Sequence, residues 1–276
     1  MAHVNQPLLG VRVGLLEARM ESELASLVRR HGGLPVCAPA LRELERVCPE
    51  EVTRACESAS RGAAVIVLTT GVGVARWLRM ADELGRGLQL RADFGRSTVV
   101  CRGPKPVAVL KREGLPVHVR AESPHTTAEL LVALAAIDVA GRDVILVHDG
   151  GAHREVVDAQ SARGAHVVEL QPYAWALPED VAPLRSLIES IVAGDIEALA
   201  LTTQVQARHL FQVAESMGSR PALLAALRNV VVAAVGPTCA AVLTELGAPP
   251  QVVPDPPKMG AMILALAERF AREPRG

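Results

Sequence analysis

Four short loops carry the residues best suited to hold an acidic ligand. They are Thr69-Thr70-Gly71-Val72-Gly73, Gly103-Pro104-Lys105-Pro106, Thr202-Thr203-Gln204 and Gly236-Pro237-Thr238. Each loop precedes a stretch predicted to begin a helix, where free N–H groups and the helix dipole attract anions. The threonine hydroxyls add further donors. Any one loop could serve only to cap its helix, but four equivalent loops favour a site for carboxylates or phosphates.

The chain repeats itself at an offset of 133 residues. This offset separates Thr70 from Thr203, Gly103 from Gly236, and Gly114 from Gly247. A repeat of this length indicates two similar domains rather than the short units of a solenoid. Small molecules commonly bind in clefts between such lobes. We therefore expect the four loops to contribute to one shared anion-binding cleft.

Short apolar runs alternate with stretches of helical periodicity in both halves, which is typical of parallel α/β sheets. The predicted strands are Val11–Leu16, Leu34–Cys37, Ala64–Leu68, Thr98–Cys101, Val117–Val119, Asp143–Val147, Val167–Leu170, Ala198–Leu201, Val230–Val235 and Gln251–Val253. Half of the residues are hydrophobic but only 2% are aromatic, which fits cores of aliphatic side chains around buried parallel strands. The predicted fold class is α/β, with two similar doubly wound parallel-sheet lobes of the flavodoxin-like kind.

The order of the repeated units predicts that one lobe is discontinuous in sequence. The first strand–helix–strand unit, residues 11–39, resembles residues 143–172. One lobe is therefore expected to occupy residues 44–170, and the other residues 1–39 together with 175–276. The chain would cross between the lobes at residues 40–43 and 171–174. Two crossing strands lying side by side would form a two-stranded hinge.

Tyr173 is the only tyrosine and falls at the second of these crossings. Its phenol could donate a proton or a hydrogen bond to a ligand, or its ring could simply pack at the hinge. Basic residues near the strand ends could together neutralise an acidic ligand or remain solvated; they are Arg19, Arg102, Lys105 and Arg154. The cluster of His148, Asp149 and His153 is interpreted as loop polarity, because no second cluster completes a metal site.

Several classes of function are disfavoured by the rest of the sequence. Gly71-Val72-Gly73 is followed by Arg76 where a dinucleotide fingerprint needs glycine, so no nicotinamide or flavin cofactor is expected. A net charge of −1 without a basic block argues against nucleic acid. No apolar run reaches the ~18 residues of a membrane span, and no signal pattern is present, so a cytoplasmic monomer is expected. The five cysteines are expected to be reduced and buried.

The order and spacing of these motifs resemble those of the uroporphyrinogen-III synthase family. The family's strand–TS–helix pattern is matched by Leu68-Thr69-Thr70 and Leu201-Thr202-Thr203, and its GP turn by the run from Gly236 to Gly247. Tyr173 matches the hinge tyrosine. Two turns depart from the family pattern: Leu16-Glu17-Ala18 replaces Thr-Arg-Pro, and Lys105 stands where the first GP turn carries threonine.

The resemblance implies a cofactor-free lyase of tetrapyrrole and heme biosynthesis. Its substrate would be hydroxymethylbilane, a linear tetrapyrrole with eight carboxylates, which is closed to uroporphyrinogen III with loss of water and inversion of the last ring. Tyr173 would be the catalytic residue. Substrate would bind at Thr69, Thr70, Gly71, Val72, Gly103, Pro104, Lys105, Thr202, Thr203, Gln204, Gly236 and Thr238. The alternative is a non-catalytic two-lobe sensor of an acidic small molecule, which the two altered turns would suit.

Overall fold

The computed structural model describes residues 6–46 and 48–272. The chain divides into two compact units: unit 1 comprises residues 1–42 and 176–276, and unit 2 comprises residues 43–175. The predicted lobe limits at residues 1 and 276 fall outside the described residues. Each unit is built around a parallel sheet, so the predicted α/β class with two parallel-sheet lobes is confirmed.

Unit 1 contains a four-stranded parallel sheet of order β11-β10-β1-β2. Its strands are β1 (Arg12–Leu15), β2 (Leu34–Cys37), β10 (Ala198–Leu201) and β11 (Val231–Ala234). The predicted strand at residues 251–253 is reduced to a single bridge between Ala233 and Val252, which adds a fifth position beside β11. Counted along the chain, the spatial order is then 2-1-3-4-5, which is that of flavodoxin-like sheets.

Unit 2 contains a five-stranded parallel sheet of order β6-β5-β4-β7-β8. Its strands are β4 (Val65–Leu68), β5 (Thr98–Cys101), β6 (Val119–Arg120), β7 (Asp143–Val147) and β8 (His166–Leu170). The sheet has the same spatial arrangement as that of unit 1, but the pair β7–β8, which corresponds to β1–β2, comes last in the sequence. The β6 strand begins at the last residue of the predicted strand Val117–Val119, because Val117 and His118 lie outside the ladder.

Helices cover both faces of each sheet. In unit 1 they are α1 (Glu21–Arg30), α8 (Ala182–Ala193), α9 (Gln204–Ser216), α10 (Arg220–Ala226), α11 (Pro237–Glu245) and α12 (Met259–Arg272). In unit 2 they are α2 (Pro49–Ser60), α3 (Gly71–Glu83), α4 (Gly87–Phe94), α5 (Pro104–Arg112), α6 (Thr127–Ala135) and α7 (Arg154–Ala162). The sequence predicts helices at residues 21–30, 106–112, 154–162, 206–214, 239–246 and 259–271, and helix starts near residues 72 and 126, so α2, α4, α8 and α10 were not predicted.

Alternating side chains of the buried strands separate each unit into two cores. In β4, Ile66 and Leu68 pack with α2, α3, α4 and α5, whereas Val65 and Val67 pack with α6 and α7. In β10, Leu199 belongs to the core under α8 to α11, whereas Ala200 belongs to the core under α1 and α12. Strand side chains alternate between the two faces, so a central strand buried on both sides must be apolar throughout.

A separate two-stranded sheet pairs β3 (Arg42–Glu45) with β9 (Tyr173–Ala176). The limits of the two units fall inside these strands, so the chain passes from one unit to the other here. Among the described residues, no helix is long and apolar enough to span a membrane.

Candidate functional site

The register of the unit 2 sheet brings three polar residues to the same edge. Leu68 at the end of β4 is paired with both Cys101 of β5 and Val147 of β7. The residues that follow these strands are Thr69, Arg102 and His148. They therefore emerge side by side at the carboxyl edge, which is where parallel α/β sheets bind ligands.

Two helices of unit 2 begin at this edge without a side-chain cap. Thr70 is the N-cap of α3 and Gly103 is the N-cap of α5, and neither helix start receives a side-chain hydrogen bond. Gly71 and Val72 thus form the first turn of α3, and Pro104 and Lys105 that of α5. The sequence predicts starts near Val72 and at Pro106, so α3 begins one residue earlier and α5 two residues earlier than predicted. Free N–H groups at these termini are suited to bind anions.

The two helix starts of unit 2 approach one another closely. A Cβ atom built on Gly71 would lie 2.8 Å from the carbonyl oxygen of Lys105. Real side chains do not tolerate such a contact with backbone, so only glycine permits this spacing. Lys105 is exposed and, among the described residues, forms no ion pair. Its ammonium group is therefore available to a ligand held by the two helix starts.

In unit 1, the corresponding loops also lie at the ends of paired strands. Thr202 follows β10, Thr203 caps α9 by accepting a hydrogen bond from the Gln206 backbone N–H at 3.3 Å, and Gln204 is the first helical residue. Gly236 is the N-cap of α11, which has no side-chain cap, and Thr238 lies exposed in its first turn. All the predicted binding residues thus lie in the loops and first helical turns that follow strand ends. They form two sets, one in each unit.

A buried carboxylate that was not among the predicted site residues occupies the edge of unit 1. Glu17 follows β1, is 9% exposed and accepts hydrogen bonds from the backbone N–H groups of Arg19 at 3.1 Å and Met20 at 3.4 Å. Its other oxygen accepts from the Thr202 hydroxyl and from Gln206 Nε2, the latter at 3.2 Å. Gln206 Oε1 accepts from Thr202 N at 2.7 Å, which completes the cluster.

In unit 2, residues 148–153, interpreted from the sequence as loop polarity, form a half-buried network of charged and hydrogen-bonded groups. Asp149 accepts hydrogen bonds from Arg102 at 2.8 Å and from His153 at 3.0 Å. Burial acts to raise the pKa of Asp149, but the hydrogen bond from His153 and the charge of Arg102 outweigh it, so the pKa lies well below its usual range. Arg102 is thus neutralised by the protein itself.

His148 lies beneath this network and is 2% exposed. Its Nε2 atom is 2.9 Å from a Glu169 carboxylate oxygen, whereas the buried Nδ1 atom has no hydrogen-bond partner in the described structure. Burial lowers the pKa of His148, and the nearby His153 lowers it further. The two imidazoles stack with ring centroids 5.6 Å apart. His148 aligns with Glu17 of unit 1, since each follows the strand beside the threonine loop.

Tyr173 is 2% exposed and lies against the strand edge of unit 2. Its hydroxyl donates to Thr70 Oγ1 over 3.5 Å. The Trp175 ring meets it edge to face at 5.4 Å, and the Arg76 guanidinium lies 5.2 Å from the ring centroid. Trp175 Nε1 donates to the Asp149 carbonyl oxygen at 2.9 Å. The phenol is therefore held at the start of α3 by contacts on several sides of its ring.

Three of the five cysteines are deeply buried, and none belongs to the four loops. Cys56, Cys101 and Cys239 are buried and burial raises their pKa, to about 12 for Cys101 and Cys239. Cys37 and Cys48 are only half-buried, which differs from the expectation of five buried thiols.

A groove of about 490 Å³ in unit 1 lies along the distal part of α9. A polar groove of about 440 Å³ in unit 2 includes His148 and Glu169.

Within residues 6–46 and 48–272, no group of three or more His, Cys, Asp or Glu residues is arranged to hold a metal ion.

Comparisons with known proteins connect this architecture to a family. The family model described as "Uroporphyrinogen-III synthase HemD" matches residues 22–264. Two relatives are "Uncharacterized protein YjjA" of Bacillus subtilis, 28% identical with 95% of this chain and 97% of the relative covered, and "Putative uroporphyrinogen-III synthase" of Methanothermobacter thermautotrophicus, 29% identical with 89% and 93% covered. A mutant uroporphyrinogen III synthase from Thermus thermophilus has a similar structure, with a TM-score of 0.77, 26% identity, and 96% of this chain and 100% of that chain covered.

The fold and the strand-end loops define a protein of two similar parallel α/β units, with helix N-termini gathered at the carboxyl edge of each sheet. The family model spans most of the chain, so the protein belongs to the uroporphyrinogen-III synthase family. The resemblance inferred from the sequence motifs is therefore confirmed.

Proposed function

We propose that this protein is a cyclising lyase that converts hydroxymethylbilane to uroporphyrinogen III. The proposal rests on the family match over residues 22–264. The uncapped starts of α3, α5 and α11 support it. A substrate with eight carboxylates needs many positively polarised donors. Helix N-termini supply such donors without placing a large net charge on the protein.

The chemistry requires a leaving hydroxyl group and controlled attack by a pyrrole ring carbon. Protonation of the hydroxyl releases water and leaves an azafulvene-type cation. The substituted ring carbon of the last pyrrole attacks this cation and gives a spirocyclic intermediate. The older methylene bond to that carbon then breaks, the free α-carbon of the same ring adds to the methylene released, and loss of a proton restores the pyrrole, so that the last ring is inverted. Most of the protein's contribution is positioning of the chain ends, which can supply a large part of the rate enhancement.

Tyr173 is proposed as the general acid that protonates the leaving hydroxyl. Its phenol is nearly fully buried and its hydroxyl contacts Thr70 Oγ1 at the start of α3. That helix start is one of the proposed carboxylate sites, so a substrate bound there would lie beside the phenol. A positioned general acid contributes roughly 10² to 10⁴ in rate.

The isomer of the product tests the overall function. Hydroxymethylbilane closes spontaneously to the type I isomer, so the protein is mixed with it and the oxidised porphyrins are separated by chromatography. A synthase yields the type III isomer above the level of the protein-free reaction. Exclusive type I product would contradict the proposal and would favour the sensor, an alternative that the comparisons do not favour.

Replacing Tyr173 with Phe tests the proposed general acid. The Tyr173→Phe variant keeps the ring contacts with Trp175 and Arg76 but lacks the proton. We expect kcat for type III product to fall about 100-fold while KM changes little. Circular dichroism establishes that the variant is folded. Unchanged turnover would remove Tyr173 from the mechanism.

A further inference from the structure

Glu17 lies at the point in unit 1 where the strand order reverses. It follows β1, and β1 is hydrogen-bonded to β10, whose end carries Thr202. In open parallel sheets this reversal point is where ligands bind. In this chain the position is filled by a side chain of the protein, which is 9% exposed.

The Glu17 carboxylate is hydrogen-bonded on both oxygens, as a bound ligand carboxylate would be. Oε1 accepts from the backbone N–H groups of Arg19 and Met20, which stand just before α1. Oε2 accepts from the Thr202 hydroxyl and from Gln206 Nε2. These four donors include two backbone amides and a strand-end threonine, which are the donor types predicted from the sequence to bind substrate.

Among the described residues of unit 2, an imidazole rather than a carboxylate holds this position. At the equivalent strand pair, β4 and β7, the Thr69 hydroxyl donates to the Val147 carbonyl oxygen at 2.7 Å, and the position equivalent to Glu17 is His148. The α3 start has no side-chain cap, whereas α9 of unit 1 is capped by Thr203. The two units are therefore similar in fold but differ in how many donors they leave for an anion.

We propose that Glu17 is a specificity-determining residue that occupies the anion position of unit 1 and excludes ligand carboxylates from it. A second ionised carboxylate cannot share the donors that Glu17 already uses, and the two charges would repel one another. Ligand carboxylates would then bind at the starts of α3, α5 and α11 rather than at Thr202. This inference rests on the proposed function for the acidic nature of the ligand.

Binding of uroporphyrin III, a stable macrocycle with eight carboxylates, tests the inference without turnover. The Glu17→Gln variant has nearly the same shape but carries no charge. We expect it to bind uroporphyrin III about tenfold more tightly than the unsubstituted protein in calorimetric titration, since the repulsion is removed. The Glu245→Gln variant is the control, because Glu245 is an exposed residue of the same unit at the far end of α11 and its loss changes the net charge equally.

Equal or weaker binding by Glu17→Gln, or no binding by either protein, would overturn the inference. An equal gain in the Glu245→Gln control would also overturn it, because the effect would then come from net charge. Thermal unfolding checks that Glu17→Gln is folded, since it loses hydrogen bonds within the cluster. The isomer assay on the unsubstituted protein judges the proposed activity separately, so either conclusion can fail while the other stands.

A second measurement uses the unsubstituted protein and does not depend on the stability of a variant. Backbone amide resonances are followed by nuclear magnetic resonance during titration with uroporphyrin III. We expect the amide resonances of Gly71 and Lys105 to shift. Those of Arg19 and Met20 should not shift, because their N–H groups remain hydrogen-bonded to Glu17. Shifts at Arg19 and Met20 as large as those at Gly71 would show that the ligand displaces Glu17, and would overturn the inference.

Discussion

Lys105 is a basic residue at the candidate binding edge of unit 2. It lies in the first turn of α5, is exposed and has no ion pair among the described residues. By contrast, the neighbouring cation Arg102 is neutralised by Asp149 at 2.8 Å. Lys105 also stands where the family pattern carries a threonine hydroxyl. We therefore expect its ammonium group to replace that hydroxyl as a donor to a substrate carboxylate.

Removing this charge should weaken substrate binding without affecting the chemical step. The Lys105→Met variant is expected to raise KM about threefold to fivefold with little change in kcat, since an exposed ion pair contributes at most about 1 kcal/mol. Added salt should reduce the difference. Lys111→Met, in the last turn of the same helix, is the matched control. A comparable rise in KM for both variants would assign the effect to overall charge.

At the scale of the elements, Gly71 sets the spacing between the starts of α3 and α5. The contact between these helices leaves no room for a Cβ atom, which would lie 2.8 Å from the Lys105 carbonyl oxygen. The two uncapped helix starts are therefore held at a fixed separation by the absence of a side chain. Packing of the two helices therefore requires glycine at position 71, in addition to the predicted role of Gly71 in binding.

The Gly71→Ala variant should separate the two helix starts and weaken binding at both. We expect it to lower the free energy of unfolding by about 1–3 kcal/mol, as other overpacked positions do, and to raise KM. Gly260→Ala is the control, because Gly260 also lies in the first turn of a helix, α12, and an added Cβ atom there would meet nothing within 4 Å. Chemical denaturation of both variants measures the difference. Equal stability of Gly71→Ala and the unsubstituted protein would show that the helices adjust without cost.

The elements differ in how easily they could be predicted from the sequence. Strand β4 is an uninterrupted apolar run and β7 is apolar after Asp143, whereas α6 begins with the capping box of Thr126 and Glu129, so both kinds of element carry local signals. Helix α2 also shows helical spacing, at Val52, Ala55, Cys56 and Ala59, although most of these side chains are small. Helix α8 likewise shows helical spacing at Leu184, Leu187, Ile188 and Ile191, so it was predictable from the sequence.

The candidate site was predictable only where its residues carry a local signature. The threonine and GP loops stand at strand–helix junctions, so their positions follow from the pattern of elements. The role of Glu17 depends on hydrogen bonds to Thr202 and Gln206, which are distant in sequence and meet only because β1 pairs with β10. The Asp149 network likewise requires the alignment of β5 and β7 on either side of β4. Contacts of this kind have no local signal.

At the scale of the whole molecule, the two units differ in continuity. Unit 2 is a single stretch, residues 43–175, with a complete five-stranded sheet and a core on each face. Unit 1 needs β1 and β2 from one end of the chain and β10 and β11 from the other. Each strand of a parallel sheet depends on its neighbours for hydrogen bonds. Continuous fragments taken from the two units should therefore differ in their ability to fold.

We expect a fragment of residues 43–175 to fold alone and a fragment of residues 176–276 to remain largely unfolded. The first retains its sheet and both cores, whereas the second lacks β1 and β2 and exposes the apolar faces of β10. Thermal unfolding followed by circular dichroism should be cooperative for the first fragment only. A gradual, non-cooperative melt of residues 43–175 would contradict this expectation.

The permuted order of the strands has a consequence for synthesis on the ribosome. The β1–α1–β2 segment emerges first, but β10, the neighbour that completes its sheet, is translated only after the whole of unit 2. At about 5–20 residues per second, the apolar edge of β1 stays unpaired for several seconds at least. Unpaired edges of this kind recruit other chains. Nascent chains of this protein should therefore depend on early protection of their N-terminal segment by chaperones, and slowed translation of residues 43–175 should lower the yield of native protein.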